Sequence, residues 1–230
     1  MKFEETLLKG KLIKRYKRFF TDVKVNNEIL TAHCPNTGSM YGLLDENNHV
    51  MLSKSNNPKR KLKYTLEIIK VKNSLVGVNT HRANKIVYEA LEKNLIKELI
   101  NCDKIIPESV FDSGTRFDFL LNKKNRKIYL EVKNVTLSFD GKIAQFPDAV
   151  TERGKKHLLK LEEANNKGFE SYVLFLIQRE NIKEFMIAGN IDAKYYSTFI
   201  DVKKKGVKFL AYDCTLSSKE IKVNKSINIL

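Results

Sequence analysis

The hydrophobic positions of this 230-residue chain change their period near Asn79. Before that point apolar and polar residues alternate in short runs, at residues 10–20, 21–25, 28–33, 50–53 and 64–71. Alternation at a period of two is what a strand with one buried face produces. Turn formers at Asn26-Asn27, Asp45-Glu46-Asn47-Asn48 and Ser55-Asn56-Asn57-Pro58 separate the runs. Such a succession of short strands predicts a small Greek-key barrel of the OB type over residues 1–79. After Asn79 the spacing turns helical. Val87, Leu91, Leu95 and Leu99 fall on one face, which predicts a helix over residues 81–99 with Thr80 as its N-cap. Strands at 104–111, 115–121 and 127–135 follow, then a helix over 148–167 stopped by Gly168 and a buried strand at 172–177. A helix over 193–205, ending at Gly206, leads into a strand at 207–212. The order αβββαβ with a further αβ predicts a mixed sheet flanked by helices for residues 80–230.

Composition narrows the setting. Cys34, Cys102 and Cys214 are odd in number and widely spaced, which supports neither a disulfide framework nor a zinc ribbon and suits a reducing, cytoplasmic environment. No run of apolar residues is long enough to span a membrane, and residues 1–10 lack the core of a signal peptide. The formal charge of +15 favours a polyanionic partner. With 34 Lys against 8 Arg and 21 Asn, AT-rich coding contributes to that total, so the distribution carries more weight. Residues 1–79 hold 15 basic and 7 acidic side chains and residues 80–230 hold 27 and 20, so the shorter half is the more densely basic.

The candidate chemistry lies on the strand at 127–135. Ile128, Leu130 and Val132 share one face, and Tyr129, Glu131 and Lys133 share the other. The short polar connection at 122–126 makes this strand a hairpin partner of the preceding one, which sets Asp118 across from Glu131. Two carboxylates at one sheet face offer hard oxygen ligands to Mg²⁺ or Mn²⁺, and the adjacent Lys133 suits an attacking water or the charge on phosphorus. The bland alternative is a solvated Glu–Lys pair. Asp118 followed by Glu131-Val132-Lys133 in this fold order resembles the PD-(D/E)xK nuclease superfamily. That resemblance implies Glu89, on the first helix, as a further metal ligand. Phe117 stands where the superfamily's loosely kept proline would be.

Several segments suit phosphate contacts. Lys14, Arg15, Lys17 and Arg18 are interleaved with Tyr16, Phe19 and Phe20, a mixture fitted to tracking a backbone while stacking bases. Arg60 and Lys61 lie in a second basic cluster. Thr151 and Arg153 open the helix after the candidate strand, together with Lys155, Lys156 and His157. His157 taken alone reads as an ordinary surface histidine. The loop 33–40, with Asn36 and Thr37, reads as structural or phosphate-contacting, because Cys34 and His33 are adjacent in a strand and point apart.

Over nearly its whole length the chain resembles the sugar fermentation stimulation protein A family. The resemblance is carried by Leu12-Ile13-Lys14-Arg15-Tyr16-Lys17-Arg18-Phe19, loop 33–40, Arg60-Lys61-Leu62-Lys63-Tyr64-Thr65-Leu66-Glu67 and Gly77-Val78-Asn79-Thr80. Glu131-Val132-Lys133-Asn134-Val135-Thr136-Leu137 and Phe146-Pro147-Asp148-Ala149-Val150-Thr151-Glu152-Arg153-Gly154 add to it. It implies an OB-like domain followed by a PD-(D/E)xK domain, non-specific DNA binding and a regulatory role at sugar-metabolism genes. Three functions are carried forward: a metal-dependent nuclease, a DNA-binding regulator that keeps the nuclease fold but cuts nothing, and an RNA-binding or RNA-processing protein. Oligomeric state is not legible in the sequence.

Overall fold

A computed structural model describes all 230 residues. The first six strands are β1 (Leu8–Tyr16), β2 (Phe20–Val25), β3 (Glu28–His33), β4 (His49–Lys54), β5 (Tyr64–Val71) and β6 (Ser74–Gly77). They run in the order β3-β2-β1-β4-β5-β6, and a parallel pairing of Ala32 with Tyr64 joins β3 to β5 and closes an OB barrel. Leu12, Val23, Ala32, Val50, Leu52 and Leu66 fill its interior. The strand expected at 10–20 ends at Tyr16, and β2, expected from 21, begins at Phe20. Lys17 and Arg18 take left-handed φ angles of 47° and 62°, and this turn brings Phe20 back opposite Tyr16. Gly10 permits the close approach of β1 to β2, since a Cβ there would lie 2.5 Å from Val23 Cγ1.

The remainder follows the predicted alternation. A short 3₁₀ turn precedes α1 (Ala83–Glu92), and then come β7 (Lys104–Asp112), β8 (Thr115–Lys123), β9 (Arg126–Val135) and β10 (Ile143–Phe146). After these lie α2 (Glu152–Asn166), β11 (Glu170–Ile177), β12 (Glu184–Ile187), α3 (Ala193–Lys204), β13 (Lys208–Leu216), β14 (Ile221–Ser226) and β15 (Asn228–Ile229). The main sheet has the order β14-β13-β11-β9-β8-β7, with β11 parallel to both β9 and β13, while β10, β12 and β15 form a small parallel sheet. α1 covers one face of the main sheet, and α2 and α3 cover the other.

Helix ends differ from the expectation for local reasons. α1 stops at Glu92 rather than continuing to Leu99, because Asn94 adopts a left-handed φ of 56° and Leu95 N–H returns to Ala90 C=O. This is a Schellman closure, the same one Gly168 and Gly206 supply after α2 and α3, where Phe169 N–H reaches Ala164 C=O and Val207 N–H reaches Val202 C=O. The cap ahead of α1 is Asn79, whose side chain accepts from His81 N–H, while Thr80 Oγ1 donates to Pro35 C=O. α2 begins at Glu152 and not at Asp148, since Thr151 caps it by accepting from Gly154 N–H at 3.0 Å.

The two halves are stitched together. Residues 1–7, expected with the barrel, run along the far end of the chain instead: Phe3 and Leu7 N–H donate to Lys219 and Ser218 C=O, and Ile221 N–H donates to Met1 C=O. At the other crossing Glu67 of β5 is fully buried and accepts from Ser53 Oγ at 2.7 Å, Asn79 Nδ2 at 2.9 Å and Arg82 Nη2 at 2.8 Å. A buried carboxylate stripped of its cation is far costlier than an exposed cation stripped of its acid, because only the latter regains water. Arg82→Ala should therefore destabilise the protein by about 3–5 kcal/mol. Glu67→Gln, which leaves no buried charge, keeps one acceptor oxygen for Asn79 and can donate its NH₂ to the Ser53 hydroxyl, should cost less. Denaturant unfolding of both variants checks this, and equal losses would contradict it.

Candidate active site

β9 occupies the middle of the main sheet, so its two faces meet different helices. Ile128, Leu130 and Val132 pack toward α1, and Tyr129 and Val135 pack toward α2 and α3. Glu131 and Lys133 share the second face. Glu131 is 4 % exposed, and its Oε1 accepts from Lys133 Nζ at 2.7 Å while the His157 Nδ1 of α2 meets the same oxygen. The other oxygen, Oε2, is buried and has no hydrogen-bond partner. An orphaned carboxylate oxygen of this kind is costly, which makes it a prime candidate for a ligand contact.

Asp118 reaches the same place by a different route. The β8–β9 ladder runs from Lys123↔Arg126 to Phe119↔Leu130 and stops. One residue beyond, Asp118 Oδ2 accepts from Val132 N–H at 2.7 Å, so the carboxylate takes an amide that continued pairing would have used. Its Oδ1 accepts from Asn84 Nδ2 of α1, also at 2.7 Å. The strands part here. Phe119 packs under α1, whereas Phe117 turns to the other side of the sheet against Tyr129, and Glu108 across from Asp118 adopts a left-handed φ of 51°. A cavity of about 640 Å³ opens from the parting, lined by Asp118, Glu131 and His157 and by a mixed set of charges, Arg116, Arg153 and Lys156 with Glu108 and Asp112. An Asp112–Lys160 ion pair at 2.8 Å ties the β7–β8 turn to α2 and fixes the width of this opening.

The two carboxyls are electrostatically unequal. Burial and the neighbouring Glu131 push Asp118 up to about 6, against the opposing bonds from Val132 and Asn84. Burial also presses Glu131 upward, but the charges of Lys133 and His157 outweigh it and hold the group below its usual range. The site thus keeps one carboxylate ionised and gives its neighbour reason to hold a proton near neutrality. A divalent cation fits this donor set: it would offset the repulsion that raises Asp118 and satisfy the bare Oε2 of Glu131. No third His, Cys, Asp or Glu joins them to complete an all-protein cage, so such an ion would keep water among its ligands.

Glu89 does not enter the site. Its carboxylate pairs with the Met1 amino group at 2.8 Å and with Lys93. Residues five apart on an α-helix lie about 140° apart around its axis, so with Asn84 turned to Asp118, Glu89 points elsewhere. Arg15 is likewise committed, donating to the carbonyls of Arg18, Asn36 and Gly38. Thr151 is the α2 cap, and Asn36 is buried. Lys14, Lys17, Arg18 and Lys61 are exposed, and Tyr16 stacks on Phe20 with ring centroids 5.4 Å apart. Another cavity, of about 1070 Å³, lies away from the carboxylates, between residues 2–9, the barrel and α1. Arg60, His33, Arg82 and Lys85 face it, and burial together with Arg60 presses His33 below its ordinary value. His157, Asn84 and Arg116 are the site residues that sequence reasoning missed or discounted, while Lys156 was among the expected phosphate contacts. For His157 the signal was its place in the first turns of the helix that follows the Glu-x-Lys strand.

An OB barrel joined to a nuclease-like domain with an acid-acid-lysine cluster defines the class. Residues 13–78 match the family description "SfsA N-terminal OB domain" and residues 81–220 match "Sugar fermentation stimulation protein RE domain". The chain belongs to the sugar fermentation stimulation protein family. It is 61% identical over its whole length to a sugar fermentation stimulation protein homolog of Pelagibacter ubique, covering 99% of that protein, and 43% identical to one of Pseudoalteromonas atlantica, with full coverage of both chains. Its fold matches that of Pyrococcus furiosus SfsA, solved in complex with Ca²⁺, with a TM-score of 0.89 and 22% identity over 100% of this chain and 98% of the other.

The raised Asp118 makes a stability prediction. A folded value of about 6 against an ordinary 3.8 means the native state loses stability as pH rises through that interval and carries the full deficit above it. Asp118→Asn should accordingly be more stable than the parent at pH 8, by up to about 2–3 kcal/mol, with the advantage gone near pH 4. Thermal melts across this range test it, and a pH-independent difference would refute it.

Proposed function

We propose that this protein binds DNA non-specifically and cleaves phosphodiester bonds at Asp118, Glu131 and Lys133 with a divalent cation, Mg²⁺ or Mn²⁺. The observation that carries the reading is the unpartnered Oε2 of buried Glu131, a residue lining a polar cavity together with Asp118, His157, Arg116, Arg153 and Lys156. Asp118 and Glu131 would hold the cation, which supplies Lewis acidity at the scissile phosphate. Because Lys133 and His157 both occupy Oε1 of Glu131, Oε2 is the oxygen left to ligate. Lys133 orients the attacking water and offsets charge at phosphorus. Arg116, Arg153 and Lys156 receive the flanking phosphates. On the barrel, Lys14, Lys17, Arg18, Arg60 and Lys61 add sequence-independent attraction to the backbone. The Ca²⁺ complex of the Pyrococcus furiosus relative supports the choice of a hard, oxygen-seeking cation.

A second reading, a DNA-binding regulator that cuts nothing, draws support from the family description, which names stimulation of sugar fermentation. Incubation of pure protein with supercoiled, linear and single-stranded DNA in Mg²⁺ or Mn²⁺ separates the two, with RNA as a further substrate. The nuclease reading expects cleavage lost at least about 100-fold in Glu131→Ala and Lys133→Ala. Cleavage that survives in both variants would reveal a contaminant. Binding is read independently: Mg²⁺ or Mn²⁺ should raise the melting temperature of the parent and leave that of Glu131→Gln unchanged.

A further inference from the structure

Where the barrel meets the nuclease-like domain, a third and smaller cavity of about 220 Å³ lies beyond the Lys133 end of β9. It is lined from the barrel side by Asn36 and Thr37 and from the other side by Asn134, Gln145 and Asp148. The backbone fixes the polarity of Asn36, whose Oδ1 accepts from Gly38 N–H at 2.8 Å and leaves its NH₂ to be satisfied, while Asn134 pairs amide to amide with Gln178 and can present either its NH₂ or its carbonyl. Arg15 holds the barrel loop in place through the carbonyls of Asn36 and Gly38. The Asn36 donor, the reversible Asn134 amide and the Asp148 acceptor together resemble a complement to the edge of a heterocycle. The carboxylate also repels phosphate, so an anionic group is not what the cavity selects.

The same two loops carry an exposed aromatic pair. Tyr41, three residues after Gly38, is 60% exposed, and Phe139, two residues after Leu137, is 52% exposed. Their rings meet edge to face with centroids 5.1 Å apart, one from each domain. Large exposed rings on a strongly basic protein, next to a polar cavity, fit planar polar rings on a polyanion better than an apolar protein surface. The cavity is smaller than the ~300 Å³ at which drug-sized pockets begin, so one base enters and a nucleotide chain does not.

We propose that this seam receives an unpaired nucleobase of a single-stranded nucleic acid, stacked on one ring of the Tyr41–Phe139 pair and flanked by the other, with its polar edge against Asn36, Asn134 and Asp148. The inference rests on the nucleic-acid reading above and specifies its substrate as a strand with unstacked bases, in DNA or RNA. A base paired within a duplex cannot present its face and its edge in this way.

The test is fluorescence anisotropy with a labelled DNA strand, the RNA of the same sequence and the corresponding duplex, titrated at several salt concentrations. Tyr41→Ala combined with Phe139→Ala should weaken binding of at least one single strand by about tenfold or more. Duplex affinity and the salt slope should stay as in the parent, since neither ring contacts phosphate. The ring-conserving pair Tyr41→Phe and Phe139→Tyr should bind as the parent does. A 2-aminopurine within the strand should be quenched on binding the parent and not the alanine variant. Equal losses on strand and duplex, or no loss on either strand, overturn the seam proposal while leaving nucleic-acid binding intact. A parent protein that binds none of the three in a salt-dependent way overturns both.

Discussion

The site is organised by one hydrogen bond, from Val132 N–H to the Asp118 carboxylate. In an uninterrupted hairpin that amide would be available for pairing with β8. Because a side chain takes it, the strands part without leaving a buried donor orphaned, a condition any break in a central strand must meet. The parting frees Phe117 to cross to the α2 face, makes room for a cavity, and brings Asp118 close enough to Glu131 for each to feel the other's charge. Fold and candidate chemistry are coupled at this point, since restoring the pairing would close the opening.

Glu131 shows the complementary constraint. A carboxylate at the centre of a sheet is tolerated only when cations surround it, and Lys133 and His157 converge on a single oxygen of it. That asymmetry leaves the second oxygen bare and the first heavily occupied. Asp118, by contrast, has both oxygens bonded to neutral donors and carries the electrostatic strain. The two acids therefore play unequal parts before any ligand arrives.

What the sequence could reveal follows from the range of the forces involved. The faces of β9 were legible because a period of two fixes them locally, and the approach of Asp118 to Glu131 was legible because a short hairpin sets the neighbouring strand. Glu89 was not, since the rotation of α1 about its axis is decided by packing of Ile86, Val87, Ala90 and Leu91 on the sheet and not by the helix itself. Arg15 and Thr151 looked like anion binders because donor-rich side chains read alike whether they meet phosphate or backbone. The end of α1 at Asn94 lay within reach, since asparagine accepts left-handed backbone almost as readily as the glycines after α2 and α3. The four-residue strands β10 and β12 gave no signal, being too short for alternation to register.

The path of residues 1–7 alters what the barrel is. The polypeptide starts on the nuclease-like domain, leaves it to build the barrel and comes back at α1, so in three dimensions the barrel is an insertion held at both of its ends. A domain hung from one linker can swing freely, whereas one anchored twice moves only if both anchors deform together. With residues 1–7 on one side and α1 on the other, the barrel and the nuclease-like domain are held to move together, and the seam between them keeps its dimensions.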